Sequence, residues 1–215
     1  MKILGISGSP RRDSVTAQLV KEVLAGAEAE CETEFVSLSG KRIGPCVACL
    51  GCVRDNVCAL NDDLAGLRES IVSADAYVIG AANFYGVLNG LAHCFLERWY
   101  QFRHREGKLV AGKLGVAVGV GGGMPAPAAE SIKAFLQYHQ VECVGEVTAQ
   151  GPACCFTCGY GEDCKVGAIH MFFGAGTKIT PEIIPTLEKQ PEAVAAARAA
   201  GKILSDRLLA LALAT

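Results

Sequence analysis

Five short apolar runs, each separated from the next by a stretch with apolar residues at helical spacing, constrain this chain more than any other feature. Lys2–Ser7, Glu34–Leu38, Ala76–Gly80, Lys113–Val120 and Cys143–Ala149 read as strands. Consecutive apolar positions need cover on both faces, and a helix between two strands is the connection that lays them parallel. Helices are predicted over 14–29, with Ser14 as cap and Val15, Leu19, Val23, Leu24 and Ala27 on one face, over 62–73 behind an Asp62 cap, and over 86–105, 125–140 and 191–212. The alternation predicts an α/β fold with a doubly wound, five-stranded parallel sheet. One domain is expected over residues 1–215, with a cysteine-rich loop at 46–58 inserted after the second strand and an irregular excursion at 151–181. Such sheets hold ligands at the carboxyl ends of their strands, where the strand order reverses.

Net charge is −2 and 51% of residues are hydrophobic, so there is no basic field for nucleic acid and no partner of that class is expected. No apolar stretch reaches bilayer length, and the first residues lack a cationic leader with a cleavage site. A soluble, cytoplasmic protein with no membrane partner is the expectation. There, eleven cysteines read as metal ligands and buried thiols rather than disulfides.

Four of them fall at Cys46-x2-Cys49-x2-Cys52-x5-Cys58. The two x2 spacings let three sulfurs turn inward from one compact loop, and the longer reach adds the fourth, which suits a [4Fe-4S] cluster. Structural zinc, which favours two well-separated x2 pairs, and unliganded or redox thiols are the alternatives. A second group, Cys154, Cys155, Cys158 and Cys164, is a candidate second metal site; redox-active thiols near a cofactor and unliganded cysteines are the other readings. Adjacent cysteines seldom bind one ion together, which weakens a four-ligand count there. Cys31, Cys94 and Cys143 sit in apolar patterns as small hydrophobes. His104, His139 and His170 are assigned no catalytic role.

The first strand runs into Ser7-Gly8-Ser9-Pro10-Arg11-Arg12-Asp13-Ser14-Val15-Thr16. Glycine permits close backbone approach, hydroxyls donate hydrogen bonds, Arg11 adds a forked cation, and the helix start favours an anion. There is no Gly-x-Gly-x-x-Gly, no carboxylate at the end of the second strand and no Gly-Lys-Ser/Thr loop. A terminal monophosphate such as that of FMN is the better guest, against the plainer reading of a Ser-capped turn. Two further turns follow predicted strands at the same edge: Asn83-Phe84-Tyr85-Gly86 and Gly119-Val120-Gly121-Gly122-Gly123. Aromatic rings and glycine-rich backbone suit an isoalloxazine, although Phe84 and Tyr85 suit a core equally and the glycines a flexible loop.

In Gly5-Ile6-Ser7-Gly8-Ser9-Pro10-Arg11 with Thr16, the four-cysteine loop, the turn through Gly86 and Phe95-Leu96-Glu97-Arg98, the chain resembles the iron–sulfur flavoproteins, a branch of the NADPH-dependent FMN reductase family. The resemblance covers about residues 1–150 and leaves the second cysteine group outside it. It implies a flavodoxin-like fold and FMN bound by Ser7, Ser9, Pro10, Arg11, Ser14, Val15, Thr16, Asn83, Phe84, Tyr85, Gly86, Gly121, Gly122 and Gly123. It also implies a four-iron cluster at Cys46, Cys49, Cys52 and Cys58, and a homodimer or homotetramer. The chain departs from the pattern at Ala82-Asn83-Phe84, where relatives carry Pro-x-Tyr, and at His93, where Lys is common.

The expected function is an FMN-dependent oxidoreductase that takes electrons from a small carrier such as ferredoxin or NAD(P)H and passes them, through the cluster and FMN, to a small-molecule acceptor. The alternative is an NAD(P)H-dependent FMN or quinone reductase with structural zinc in the cysteine loop. A redox or metal sensor is a third class, but no DNA-binding helix-turn-helix or basic arm supports it. The apolar residues of 191–212 suggest a surface for a homo-oligomer, or equally a core helix.

Overall fold

The central sheet of the computed structural model holds five parallel strands in the order Glu32–Ser37, Lys2–Ser7, Ala76–Phe84, Leu114–Gly121, Glu142–Gln150. The structure describes residues 1–105 and 108–214. Its strands are β1 (Lys2–Ser7), β2 (Glu32–Ser37), β3 (Ala76–Phe84), β4 (Val87–Leu88), β5 (Leu114–Gly121) and β6 (Glu142–Gln150). The helices are α1 (Val15–Ala25), α2 (Arg68–Ser73), α3 (Gly90–Glu97), α4 (Ala126–Tyr138), α5 (Ala168–Phe173) and α6 (Pro191–Leu213). The predicted fold class holds: this is the doubly wound, flavodoxin-like order, and the chain changes direction between β1 and β3.

Side chains alternate across the sheet as the pleat requires. Ile3, Val78, Val116 and Val118 face one way, into a core with Leu19, Val20 and Val23 of α1 and Leu204 and Leu208 of α6. Leu4, Ile6, Tyr77 and Ile79 face the other, with Ile71 of α2, Phe95 and Leu96 of α3 and Ile132 and Leu136 of α4. Trp99 is the hub of that second core, meeting Tyr77, Phe95, Phe102 and Phe135 edge to face.

Several predicted boundaries move, each for a local reason. The helix expected from Asp62 begins at Arg68, after a 3₁₀ turn at Ala65–Leu67. Asp62 caps the Leu64 amide at 3.2 Å, but its carboxylate is committed to Arg98 at 2.7 Å and the Gly44 amide at 3.1 Å. The helix expected over 86–105 is shorter. Tyr85 (φ +57°) and Gly86 (φ +84°) form the two-residue turn of a hairpin pairing Phe84 with Val87, so α3 starts only at Gly90. Arg98–Phe102 then continues as a 3₁₀ turn. The first helix stops at Ala25 rather than residue 29, at a Gly26 whose missing side chain lets α6 cross: a Cβ there would lie 2.1 Å from the Arg198 carbonyl oxygen.

The closing helix is chiefly a core helix. Ala197, Ala200, Gly201, Leu204 and Leu208 are buried, while Ile203, Leu211 and Leu213 remain exposed. Among the described residues no helix is long and apolar enough to cross a membrane.

Candidate functional site

A cleft of about 430 Å³ opens at the carboxyl edge, where β1 and β3 part. Ser9, Pro10, Arg11, Ser14, Val15 and Thr16 line it from the first βα turn, Asn83, Phe84 and Tyr85 from the end of β3, and Gly121 and Gly122 from the end of β5. The structure thus brings together eleven of the residues singled out in the three turns. The other three stand apart from its lining. Ser7 is fully buried beneath it, its hydroxyl without a hydrogen-bond partner among the described residues. Gly86 belongs to the hairpin turn, and Gly123 is covered by Phe172, whose ring would stand 2.5 Å from a Cβ.

The cradle joins residues expected from the sequence to others, Asn89 above all, that the sequence did not advertise. Ser14 caps α1 by accepting from the Ala17 amide at 3.1 Å. Val15 and Thr16, whose amides open the helix without intrahelical acceptors, line the cleft. Gly8 donates to the Gly80 carbonyl at 2.7 Å and packs so tightly that a Cβ would meet that of Ala92 at 2.7 Å. The buried Asn89 ties the two turns together: its Nδ2 donates to the Gly8 carbonyl at 2.7 Å and its Oδ1 accepts from the Ala82 amide at 3.1 Å. Asn83 donates to the Met124 carbonyl, linking the β3 and β5 turns. A glycine-walled cleft with a capped helix start, hydroxyls and an arginine fits a flavin mononucleotide with its phosphate at α1.

Arg11 does something the sequence could not reveal. Its guanidinium donates to the Pro152 carbonyl at 3.0 Å and to Cys154 Sγ at 3.2 Å. The excursion after β6 therefore folds back, and Gly151, Pro152, Ala153, Cys154, Ile184, Pro185 and Thr186 form a third wall. Asp13 and Gln18 also reach the cleft. Only the break in strand–helix alternation after residue 150 hinted at this wall.

The first cysteine loop lies between β2 and α2, and the chain leading into it is held to the cradle by Ser39, whose hydroxyl donates to the Pro10 carbonyl at 2.8 Å. Positive φ at Ala48 (51°), Leu50 (57°) and Asn56 (58°) coils it tightly. Its supports come from one stretch around the end of α3. Glu97 accepts from the Cys46 amide at 3.2 Å, Gln101 from the Cys58 amide at 3.1 Å, Arg98 Nε donates to Cys58 Sγ at 3.2 Å, and His104 Nε2 lies 3.1 Å from Cys52 Sγ. Glu97 also pairs with His93 at 3.4 Å, so the departure at His93 acts through the same carboxylate. Arg98 is 2% exposed. Burial works against the charge of Asp62, but hydrogen bonds from Arg98, Gly44 and Leu64 outweigh it and hold that carboxyl below its ordinary range.

Burial first, and then the neighbouring Cys58, Cys46 and Cys49, push the Cys52 thiol above its ordinary value. Among the described residues no three His, Cys, Asp or Glu side chains converge on a metal-sized site, in this loop or at Cys154–Cys164. The donor set still suits a thiolate-bound cluster: four cysteines on one coiled loop, with amides and a buried cation supported around them.

Residues 1–150 match the model of the NADPH-dependent FMN reductase family. The chain belongs to that family. Within it, the protein is 33% identical over 150 residues to an iron–sulfur flavoprotein of Methanocaldococcus jannaschii, an alignment covering 68% of this chain and 77% of the relative. It is 30% identical, again over 150 residues, to the iron–sulfur flavoprotein of Methanosarcina thermophila, covering 68% and 78%. This is the iron–sulfur flavoprotein branch, and the protein is a flavin-dependent oxidoreductase. Among solved structures, RosB, carrying a bound formylriboflavin phosphate intermediate, matches all of this chain and 81% of its own length with TM-score 0.69 at 16% identity. A flavone reductase matches with TM-score 0.66 at 18% identity, and this chain spans 65% of it. At those identities the likeness is one of fold.

Proposed function

We propose that this FMN reductase family member is an electron-transfer flavoprotein that takes single electrons from a small carrier and delivers them to a small-molecule acceptor. The observation that carries the reading is the Ser39–Pro10 bond, which ties the segment leading from β2 into the four-cysteine loop to the turn that forms the cradle. When bound, a [4Fe-4S] cluster exchanges single electrons and FMN one or two, so a chain holding both can serve carriers and acceptors of different electron number.

This chain's residues would divide the work. Ser9, Ser14, Thr16 and the α1 amides would receive the FMN phosphate, with Arg11 as its counter-charge. Asn83, Phe84, Tyr85, Gly121 and Gly122 would flank the ring. Cys46, Cys49, Cys52 and Cys58 would ligate the cluster, and Arg98 and His104 would supply donors to its sulfurs. Ferredoxin is the donor class that matches single-electron entry, with NAD(P)H the alternative. A homo-oligomer is part of the proposal, supported by the exposed Ile203, Leu211 and Leu213 on α6; a single-chain mass by light scattering would remove it.

The test is Cys49→Ser in anaerobically prepared protein. It should remove the first loop's share of iron and sulfide, about four of each per chain, and the visible absorbance that goes with it while FMN stays bound, and slow reduction by ferredoxin far more than reduction by dithionite. Full iron in the variant, FAD as the extracted cofactor, or zinc in place of iron in the parent would overturn the reading; zinc would leave an NAD(P)H-dependent FMN or quinone reductase.

A further inference from the structure

The third wall of the cleft carries its own cysteines, and three observations meet there. In sequence, Cys155-x2-Cys158-x5-Cys164 repeats the spacing of Cys49-x2-Cys52-x5-Cys58. In backbone, Cys154–Phe156 forms a 3₁₀ turn closed by Thr157 N–H to the Cys154 carbonyl at 3.0 Å. Gly159 then reverses the chain at φ +83°, and Gly161 returns so close that a Cβ would stand 2.0 Å from the Cys155 carbonyl oxygen. Only glycine allows both the turn and the return.

The third observation is where the amides point. Tyr160 N–H is directed at Cys158 Sγ, at 3.5 Å, and Ala168 N–H at Cys155 Sγ, at 3.3 Å. A Cβ on Gly167 would lie 3.2 Å from Cys164 Sγ, so Cys164 leaves room only for glycine at the residue before the Ala168 amide that meets Cys155. N–H groups aimed at sulfur are the kind of surrounding donors that orient metal-bound cysteines. Cys154 is turned elsewhere: its sulfur meets Arg11 and lines the cleft. The pair of adjacent cysteines is thereby split between two environments.

We propose that Cys155, Cys158 and Cys164 bind a second thiolate-seeking metal centre, a zinc ion or an iron–sulfur cluster, on the loop that walls the cleft. Cys154 stays with the cleft. Binding of a zinc ion, or of a cluster assembled from ferrous and ferric iron with sulfide, replaces three thiol protons, released to solvent, with three metal–sulfur bonds, and no electron is transferred. The fourth position is filled from outside the three cysteines. His170 is not that ligand, because Nε2 faces the Glu162 carbonyl at 2.6 Å and Nδ1 the Gly174 carbonyl at 3.3 Å. Closure needs the thiols to turn inward, which the exposed Cys158 and its flanking glycines permit. A metal here would fix the segment that holds Pro152 and Cys154 against Arg11, and so fix the third wall.

The site stands apart from the first loop, and its test keeps the two separate. The full chain with Cys46, Cys49, Cys52 and Cys58 all replaced by Ser is loaded anaerobically with zinc, or with equal ferrous and ferric iron plus sulfide, then desalted. About one zinc per chain, or iron with matching sulfide, should remain. Cobalt(II) should give near-ultraviolet thiolate charge-transfer bands in the same protein. Adding Cys158→Ser should remove both signals, with FMN content and circular dichroism reporting that the fold persists. Zinc retention identifies an ion site and iron with sulfide a cluster; either supports the proposal. No retained metal under either loading, or retention unchanged by Cys158→Ser, overturns it. Cys158→Ser in the otherwise unaltered chain keeps the first loop, and its iron reports on that loop alone.

Discussion

Arg98 Nε donates to Cys58 Sγ at 3.2 Å from the floor of the cysteine loop, while the same guanidinium holds Asp62 at 2.7 Å and the Gly44 carbonyl at 3.1 Å. One buried cation therefore fastens both ends of the loop to the helix below it.

Arg98→Met should be among the most destabilising single changes in this part of the chain. It leaves Asp62, whose side chain is 19% exposed, without its counter-charge and strips the Gly44 carbonyl of a donor. Breaking such a pair costs about 3 kcal/mol. Thermal unfolding should register it, and Asp62→Asn, which leaves the more deeply buried Arg98 without its counter-charge, should cost a similar amount. Equal stability of Arg98→Met and the parent would remove Arg98 from its assigned role.

Gly8→Ala should injure the cradle without touching any of the cleft-lining side chains proposed to receive the phosphate. The new methyl would meet Ala92 Cβ at 2.7 Å and the Gly80 carbonyl at 3.1 Å, with backbone on both sides unable to yield cheaply. A cost of about 2 kcal/mol in stability is expected, together with weaker FMN retention on gel filtration. Retention and melting temperature both at parent values would contradict the close approach.

Arg11→Ala should weaken FMN binding roughly tenfold, the effect of losing one charge-assisted bond. It also frees the Pro152 carbonyl and Cys154, so limited proteolysis within residues 151–165 should accelerate in the FMN-free protein. Unchanged proteolysis would mean that Arg11 does not hold the third wall.

His139 makes stability depend on acidity. Burial, with a smaller contribution from the Arg103 charge, depresses its pKa from 6.5 to about 4. The unfolded chain then binds a proton that the folded chain refuses between those values, so stability falls as pH drops from 6.5 to about 4 and levels off below. Over that window the loss is about 3 kcal/mol. His139→Leu should flatten the dependence in denaturant titrations across that range; an unaltered slope would mean that another group carries it.

Gly201→Ala reports on the crossing of α6 over α1. A Cβ there would stand 1.9 Å from the Val23 carbonyl oxygen, reciprocal to the Gly26–Arg198 contact on the same pair of helices. Forcing the helices apart should cost about 2 kcal/mol despite alanine's better helix propensity. A more stable variant would show that the helices can separate freely.

The sequence by itself determined the sheet. Apolar runs such as Ala76–Gly80 and Lys113–Val120 can be satisfied only by burial on both faces, so their alternation with amphipathic segments left a doubly wound parallel sheet as the solution. It also determined the first cradle, because the Ser14 cap and the Ser7–Thr16 turn are built from neighbours in the chain. Local rules failed where a distant partner outbid them. Asp62 reads as a helix cap but is drawn to Arg98, thirty-six residues away, and Tyr85-Gly86 reads as a helix start but closes a hairpin. The links between the functional elements are long-range too: Asn89 to Gly8, Ser39 to Pro10, Glu97 to Cys46 and Arg11 to Cys154 each cross between elements remote in sequence. No periodicity or spacing encodes such contacts. They exist because the packed sheet brings the ends of its strands to one edge, and there the polar groups of several loops must satisfy one another.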